Sequence, residues 1–339
     1  MNAVVVERPQ EVVYRELEPP AIGPEDVLVR SRAAGLCRTD LEIITGVFTD
    51  PRWVRFPVIP GHEWAGTVAS VGRDVDSVRP GDRVVCEGMI ACHRCPPCRR
   101  GATHWCERIE AIGFTRPGGY AELVAVPARV VHRLPEHVSF DAGVLVEPAS
   151  VVLHGLLKAR PSPGETVGVV GVGTLGALAV TLLGLYSPAA IVAFGVREEE
   201  LELARRLGAT DAQLVGSGSA SAGELDLVVE AAGATAAVEL AVALCRPGGR
   251  AVLLGIAGEG RSLTLPSDLL AGRELTLIGS LAYPADVWAQ VVRLVSDRVI
   301  DLAPIVTHRF PAREFAQAIR LMDERRGIVA KIVLEHQEV

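Results

Sequence analysis

Residues 166–176 read TVGVVGVGTLG, and the way this stretch folds decides the architecture of the chain. Thr166–Val170 is a short β-branched run, the composition of a buried strand. Gly171, Gly173 and Gly176 follow in G-x-G-x-x-G order, with Thr174 and Leu175 between the last two. Such a pattern is weak alone. Between a strand and the start of a helix it becomes a dinucleotide fingerprint, because glycine lets the backbone approach a pyrophosphate at the helix N-terminus. Strand-like and helix-like segments then alternate: AIVAF (190–194), EEELELARRLGA (198–209), LDLVVEAAG (225–233), AAVELAVALCRPGG (236–249), RAVLLGI (250–256) and ELTLIGS (274–280). Alternating βα units imply a parallel sheet covered on both faces, an α/β Rossmann doubly wound domain.

The end of the second strand decides which nucleotide binds. An NAD site wants Asp or Glu there for the ribose 2′-OH. Here the strand runs into Gly195-Val196-Arg197. Gly195 leaves room and Arg197 can pair with a 2′-phosphate, which favours NADP(H) over NAD(H). The alternative is that Glu198 takes the ribose and Arg197 is solvated.

Upstream the pattern changes. Short β-branched runs broken by Gly and Pro (AVVV, DVLVR, GTVASVG, GDRVV, AELVAVPARVVHRLP) indicate a smaller β-rich domain, with a barrel among the ways to close it. Val151–Ala159 reads as a helix that opens the α/β part. Downstream come a helix (285–298), a strand-like IVTHRF (305–310), another helix and a final GIVAKIVL (327–334). A length of 339 residues is too much for one compact core. Lys+Arg 34 against Asp+Glu 41 leaves a net charge of −7, which argues against a nucleic-acid or membrane-surface partner and for a small-molecule substrate. Gly176–Val196 carries no charge, but Ser187-Pro188 breaks it into a buried helix and a buried strand rather than one membrane span. The opening MNAVVVERPQ has no basic stretch followed by an apolar one, so a cytoplasmic chain is expected.

Seven cysteines without a secretion signal argue for metal or catalytic use over disulfides. Cys92, Cys95, Cys98 and Cys106 follow C-x2-C-x2-C-x7-C, and four thiolates so spaced can close a tetrahedron around a structural Zn²⁺. A ferredoxin-type cluster would want a shorter last gap and a following Pro, and Glu107 stands there instead. Gly61-His62-Glu63 places an imidazole beside a carboxylate in a Gly turn; alone such a pair is more often a solvated turn than a pair of ligands. Cys37 adds a thiol, Thr39 a hydroxyl that can pass a proton, and Asp40 a carboxylate that could orient a liganding imidazole. Glu147, before Pro148 in an apolar run, needs a partner or a task; a carboxylate facing a helix N-terminus is the plainer alternative.

These residues together resemble the zinc-containing medium-chain alcohol and polyol dehydrogenases. The resemblance runs nearly end to end, through GLCRTD (35–40), PGHEWAGTV (60–68), GDRVV (81–85), the four-cysteine lobe, GGYAE (118–122), VEPAS (146–150), GVGTLG (171–176) and KIVL (331–334). It implies a GroES-like catalytic domain with a zinc lobe from residues 1–150 and 281–339, and a Rossmann domain at 151–280. It implies a catalytic Zn²⁺ at Cys37, His62 and Glu63, with Thr39 as the hydroxyl relay. In the sorbitol, threonine and glucose dehydrogenase branch, a Glu at the position of Glu147 ligates or approaches the zinc. Leu254, Gly255, Ile256 and Ser280 look like the segments lining the nicotinamide half. Relatives pair the edge strand near Leu275–Ser280 into homodimers or homotetramers. Two departures matter: Glu42 stands where many relatives have a relay His, and Arg38 where Gly is usual. FPVIPGHEW (56–64) and IGFT (112–115) also look like dehydrogenases of amino-cyclitols and aminosugars.

The resemblance therefore implies zinc-dependent interconversion of a secondary alcohol and a ketone; the strand end at Gly195-Val196-Arg197 adds NADP(H), and a preference for NADP(H) points to reduction as the working direction. Trp53, Arg55 and Thr115 are the expected pocket residues. A zinc-free double-bond reductase of the same superfamily would lack both the cysteine lobe and the His-Glu pair, and a non-catalytic zinc or nucleotide binder would leave Cys37, Thr39, His62 and Glu63 without purpose.

Overall fold

The computed structural model describes residues 1–216, 223–258, 260–324 and 327–336. The chain divides into two compact units, one of Met1–Glu147, Pro284–Arg326 and Lys331–Val339, the other of Pro148–Tyr283 and Gly327–Ala330.

The second unit is built on six parallel strands. In sheet order they are Asp211–Leu214, Ala190–Gly195, Thr166–Val170, Leu225–Glu230, Cys245–Leu253 and Thr276–Gly279. Chain order therefore runs outward from Thr166–Val170 to one side, then resumes beside it at Leu225–Glu230. That reversal is the switch point where the carboxyl ends of neighbouring strands diverge and open a crevice. Val167, Val169, Leu227, Val228 and Val229 are all buried, as strands covered on both faces require. The charge-free stretch folds as helix Thr174–Leu183, a 3₁₀ turn Gly184–Tyr186, and strand Ala190–Gly195, with Ser187 at φ 51. Among the described residues no helix is long and apolar enough to cross a membrane.

Helix Val146–Ala159 starts five residues before its expected first residue, and includes Glu147 and Pro148. Proline is tolerated there because a first-turn N–H has no acceptor within the helix, and its fixed φ suits the helical backbone.

The first unit is β-rich. Its main sheet has seven strands, with Val306–Pro311, Lys331–Glu335, Asp26–Gly35, Glu63–Val71, Arg83–Cys86 and Val131–Arg133 in sequence across it and Leu123–Pro127 also paired to Asp26–Gly35. The sheet is mixed: Val306–Pro311 and Lys331–Glu335 run parallel, and the remaining pairs are antiparallel. Lys331–Glu335 thus joins the N-terminal strands, although nearly three hundred residues separate Val333 from its partner Gly35. The burial alternates along Asp26–Gly35, then becomes continuous from Ala33 to Leu36, where the chain enters the site described next.

Candidate active site

Sheet register builds the first centre. Gly35 pairs with Glu63, so the residue two beyond Gly35 stands beside His62 and Glu63. That residue is Cys37, the N-cap of helix Arg38–Thr45. The ligand atoms of Cys37, His62 and Glu63 lie within 4.8 Å of one another. His62 and Glu63 are buried and Cys37 is half-buried. Thr39 is in the first turn of the same helix, its Oγ1 3.8 Å from Cys37 Sγ.

Asp40 organises the surroundings. Its Oδ2 accepts the Cys37 backbone N–H at 2.8 Å and the Tyr120 hydroxyl at 2.8 Å, while Oδ1 faces His62 Nδ1 at 3.6 Å. Burial alone would push the His62 imidazole down, but the charges of Asp40 and Cys37 and their hydrogen bonds outweigh it and raise it well above its ordinary value. For Asp40 burial acts upward, and the attraction and hydrogen bonds of His62, Cys37 and Tyr120 bring it below the usual range. Tyr120 moves well up, through burial and then the Asp40 charge, so its hydroxyl is a donor.

Lys331, 1% exposed, donates to Glu63 Oε2 and, at 3.0 Å, to the Leu36 carbonyl. Burial of this ammonium acts downward, yet Glu63 and Cys37 raise it, so it stays charged. Glu147 is in the first turn of its helix and outside the group of ligand atoms within 4.8 Å. Burial pushes its carboxyl up to about 7, the His62 charge opposes this, and the Glu63 charge reinforces it. Glu63, Cys37 and Glu147 therefore act on one fixed ammonium, and Asp40 on the His62 imidazole. A thiol, an imidazole and a carboxylate converge here, and sulfur, nitrogen and oxygen donors together suit Zn²⁺.

Of the expected pocket residues, Trp53 packs against a core of Val6, Ile43, Val54 and Val58, and Arg55 is exposed. Thr115 Oγ1 accepts the Ala111 N–H at 2.8 Å and holds a turn. It is the neighbouring Phe114 whose ring lies against His62, centroids 4.9 Å apart.

The cysteine lobe forms a second centre in the same unit. Cys92, Cys95, Cys98 and Cys106 bring their sulfurs within 4.8 Å of one another, and all are free thiols. Backbone N–H groups of Arg94 and Cys95 approach Cys92 Sγ at 3.4 Å, and those of Cys92 and Arg108 approach Cys106 Sγ at 3.2 and 3.3 Å. Donors aimed at sulfur favour thiolate over thiol; those of Arg94 and Cys95 bring Cys92 down to about 6. Burial and then the neighbouring Cys95 and Cys106 push Cys98 the other way, up to about 12. Four sulfurs so close together fit a closed tetrahedral Zn²⁺.

In the second unit the fingerprint caps helix Thr174–Leu183, with Gly173 as N-cap. A Cβ on Gly176 would stand 1.8 Å from the Gly171 carbonyl oxygen, so this turn admits only glycine. Thr174 Oγ1 donates to the Ala330 carbonyl at 2.6 Å, and Leu175 is half-buried. Gly195 ends its strand, and Arg197 follows as the N-cap of helix Glu198–Arg206. Arg197 donates to Glu200 Oε1 through Nε at 3.2 Å and Nη2 at 2.7 Å, and to the Gly327 carbonyl at 3.1 Å. Glu198 bonds Arg205 at 2.9 Å. Leu254, Gly255 and Ile256 leave strand Cys245–Leu253, with Ile256 72% exposed, and Ser280 leaves Thr276–Gly279. The Ser280 N–H is bound to the Leu253 carbonyl at 3.1 Å, and its Oγ is buried without a hydrogen-bond partner among the described residues. All these positions lie at the carboxyl ends of parallel strands, the dinucleotide side of such a sheet.

Sequence reasoning passed over Lys331, Tyr120 and Glu200. Lys331 had a signal: an ammonium inside the apolar run IVAKIVL needs a buried counter-charge. Tyr120 and Glu200 had none beyond residue type.

Comparison with known proteins agrees with the fold of both units. The family described as alcohol dehydrogenase GroES-like domain matches residues 23–136, and that described as zinc-binding dehydrogenase matches residues 171–297. The chain is 33% identical over 305 residues to sorbitol dehydrogenase of Arabidopsis thaliana, covering 86% of this chain and 83% of that one. The crystal structure of galactitol-1-phosphate dehydrogenase from Escherichia coli superposes with a TM-score of 0.88 at 31% identity, over 99% of this chain and 100% of the other. A protein of Sinorhizobium meliloti 1021 crystallised with NADP superposes with a TM-score of 0.91 at 29% identity, over 98% of each chain. With a GroES-like unit, a Rossmann unit and both candidate metal clusters in place, this chain belongs to the zinc-containing medium-chain alcohol and polyol dehydrogenase family.

Proposed function

We propose that the chain is a zinc-dependent oxidoreductase that interconverts a secondary alcohol and a ketone with NADP(H), and works as a ketone reductase. The observation that carries this reading is the convergence of Cys37, His62 and Glu63 ligand atoms within 4.8 Å, with the Thr39 hydroxyl 3.8 Å from Cys37 Sγ. Cys37, His62 and Glu63 would hold one Zn²⁺, with Glu147 as a further carboxylate in electrostatic reach. Cys92, Cys95, Cys98 and Cys106 would hold a second, structural one. When bound, the catalytic ion supplies a Lewis acid for the substrate oxygen and the nicotinamide supplies hydride.

The chain's own residues do the rest. Asp40 faces Nδ1 of His62 and leaves Nε2 for the metal. Tyr120 and the Cys37 N–H fix Asp40 in that position. Lys331 fixes Glu63. Phe114 keeps water from one side of the His62 ring. Thr39 Oγ1 would relay a proton to the substrate oxygen in the reductive direction, taking one up on its other side as it gives its own. Gly171, Gly173, Thr174, Leu175 and Gly176 would cradle the pyrophosphate, with Leu254, Gly255, Ile256 and Ser280 toward the nicotinamide. Gly195 and Arg197 would take the adenosine 2′-phosphate, and the NADP-bound relative from Sinorhizobium supports that choice.

Relatives named for sorbitol, D-arabinitol and galactitol 1-phosphate support a polyol or sugar as substrate. Aminosugars and amino-cyclitols belong to the same polar secondary-alcohol class. The exposed edge strand Thr276–Gly279 would pair copies into a homodimer or homotetramer. The test measures zinc stoichiometry together with NADPH and NADH oxidation over a panel of keto-sugars and aminoketones. Two zinc ions per chain and ketone-dependent NADPH oxidation are expected. Full rates in a metal-stripped preparation overturn the reading.

A further inference from the structure

Glu230 has no place in the chemistry above, yet it is the last residue of a central strand and 0% exposed. It lies in register with Val170 on one side and Leu253 on the other, at the carboxyl ends of three adjacent strands. Its Oε1 accepts two backbone N–H groups, those of Ala232 and Gly233, both at 2.8 Å. Its Oε2 is buried against Gly255, where an added Cβ would come within 2.7 Å of that oxygen.

The two amides it holds are the supports of two other loops. An added Cβ on Gly171 would meet the backbone N and Cα of Ala232 at 2.8 Å, so the fingerprint turn rests on Ala232. A Cβ on Gly255 would stand 2.2 Å from the Gly233 nitrogen, and one on Gly233 2.9 Å from the Ile256 carbonyl oxygen. The Leu254–Ile256 loop therefore rests on Gly233. We infer that Glu230 is a positioning residue for the dinucleotide: one carboxylate, by holding the Ala232 and Gly233 amides, sets the height of both the loop at Gly171 and the loop at Gly255–Ile256.

A plain turn would not need this arrangement. A leucine at the strand end would bury well but leave two amides without an acceptor, and a carboxylate in so dry a place is costly unless those bonds are made. Burial raises its carboxyl, and the Gly233 and Ala232 amides oppose the rise.

The inference rests on dinucleotide binding at Gly171–Gly176. Its test uses the full zinc-loaded enzyme and isothermal titration with NADPH and NADH, well below the melting temperature. E230A is expected to raise both dissociation constants about tenfold or more, as loss of charge-assisted hydrogen bonds does. E230Q retains a carbonyl oxygen for both amides and is expected within about threefold of wild type. The NADPH-to-NADH ratio stays constant, because Arg197 is untouched. A merely structural role would lower the melting temperature of E230A and leave the folded enzyme's affinities alone. Wild-type affinity in E230A, or equal losses in E230A and E230Q, overturns the inference. Should E230A not fold, G233A, which disturbs the same contact at φ +68, is expected to weaken both nucleotides, and wild-type affinity there overturns it equally. A wild-type enzyme that binds neither nucleotide instead refutes dinucleotide binding itself, a result seen before any variant is compared.

Discussion

Replacing Lys331 with methionine separates the two partners that Glu63 has in this account. Methionine preserves the stem of the side chain and removes only the ammonium. In wild type that ammonium binds Glu63 Oε2, with the two side chains 1% and 2% exposed. Without metal, K331M strands a buried carboxylate. Breaking one side of a buried pair costs about 3–5 kcal/mol. For a domain of this size each kcal/mol moves the melting temperature by about 2–4 °C, so the metal-free variant should melt roughly 6–20 °C below metal-free wild type. With zinc loaded, Glu63 has a second cation and the deficit should shrink to less than half. The zinc-induced shift in melting temperature is thus larger in the variant than in wild type. Differential scanning calorimetry of both proteins, stripped with a chelator and reloaded, reads the four values. Equal deficits with and without zinc would show that Glu63 and the metal do not share charge, and the assignment of Glu63 to the metal centre fails.

Cys37→Ala and His62→Ala should each lower kcat with NADPH by at least about a thousandfold, on the scale of losing electrostatic stabilisation at the reacting oxygen. NADPH binding, followed by fluorescence, should survive; loss of binding in step with rate would refute the assignment. Arg197→Ala should raise KM for NADPH by roughly 10–100-fold, the worth of a charge-assisted contact, and leave KM for NADH nearly unchanged; equal effects on both cofactors would remove the 2′-phosphate reading. Cys98→Ala should cost one zinc equivalent by elemental analysis and destabilise the first unit, while an unchanged metal content would dissolve the lobe as a zinc site. Glu165 is held below its ordinary 4.5 and Asp226 below 3.8, by Arg250 and Arg246 respectively together with backbone N–H groups and against burial. Groups lowered by folding stabilise above their unfolded values and lose that contribution as pH falls through the folded ones. Wild-type stability should therefore drop from about pH 4.5 downward, and Arg250→Met should flatten that limb; an unchanged acid slope in urea titrations would count against it.

Much of this was legible from residues because local pattern and global topology agree. TVGVVGVGTLG announced strand, turn and helix, and the alternation after it fixed the parallel sheet. The cysteine spacing gave the lobe directly, because ligands so close in sequence have few other ways to meet. The centre at Cys37 was legible only as residue types. Its assembly depends on Gly35 pairing with Glu63, a register set by long-range strand contacts that no short motif encodes. The early start of helix Val146–Ala159 escaped the apolar periodicity because Glu147 and Pro148 interrupt it. Arg197 was found as a cation, but its engagement by Glu200 was not, since three acids open that helix and only packing selects among them.

The strand Lys331–Glu335 gives the protein a biography as well as a shape. Lys331 is made 268 residues after the carboxylate it neutralises. At ordinary synthesis rates of about 5–20 residues per second, Glu63 waits roughly 15–50 s on the ribosome before that ammonium exists. All six parallel strands, by contrast, are already out of the polymerising centre when residue 283 is added. The parallel sheet can therefore form during translation, while strand Lys331–Glu335 of the first unit and segment Gly327–Ala330 of the second are added only afterwards. For that interval Glu63 lacks the ammonium that neutralises it in the finished chain, and a cation at the proposed Cys37, His62 and Glu63 centre would meet no competing charge from Lys331.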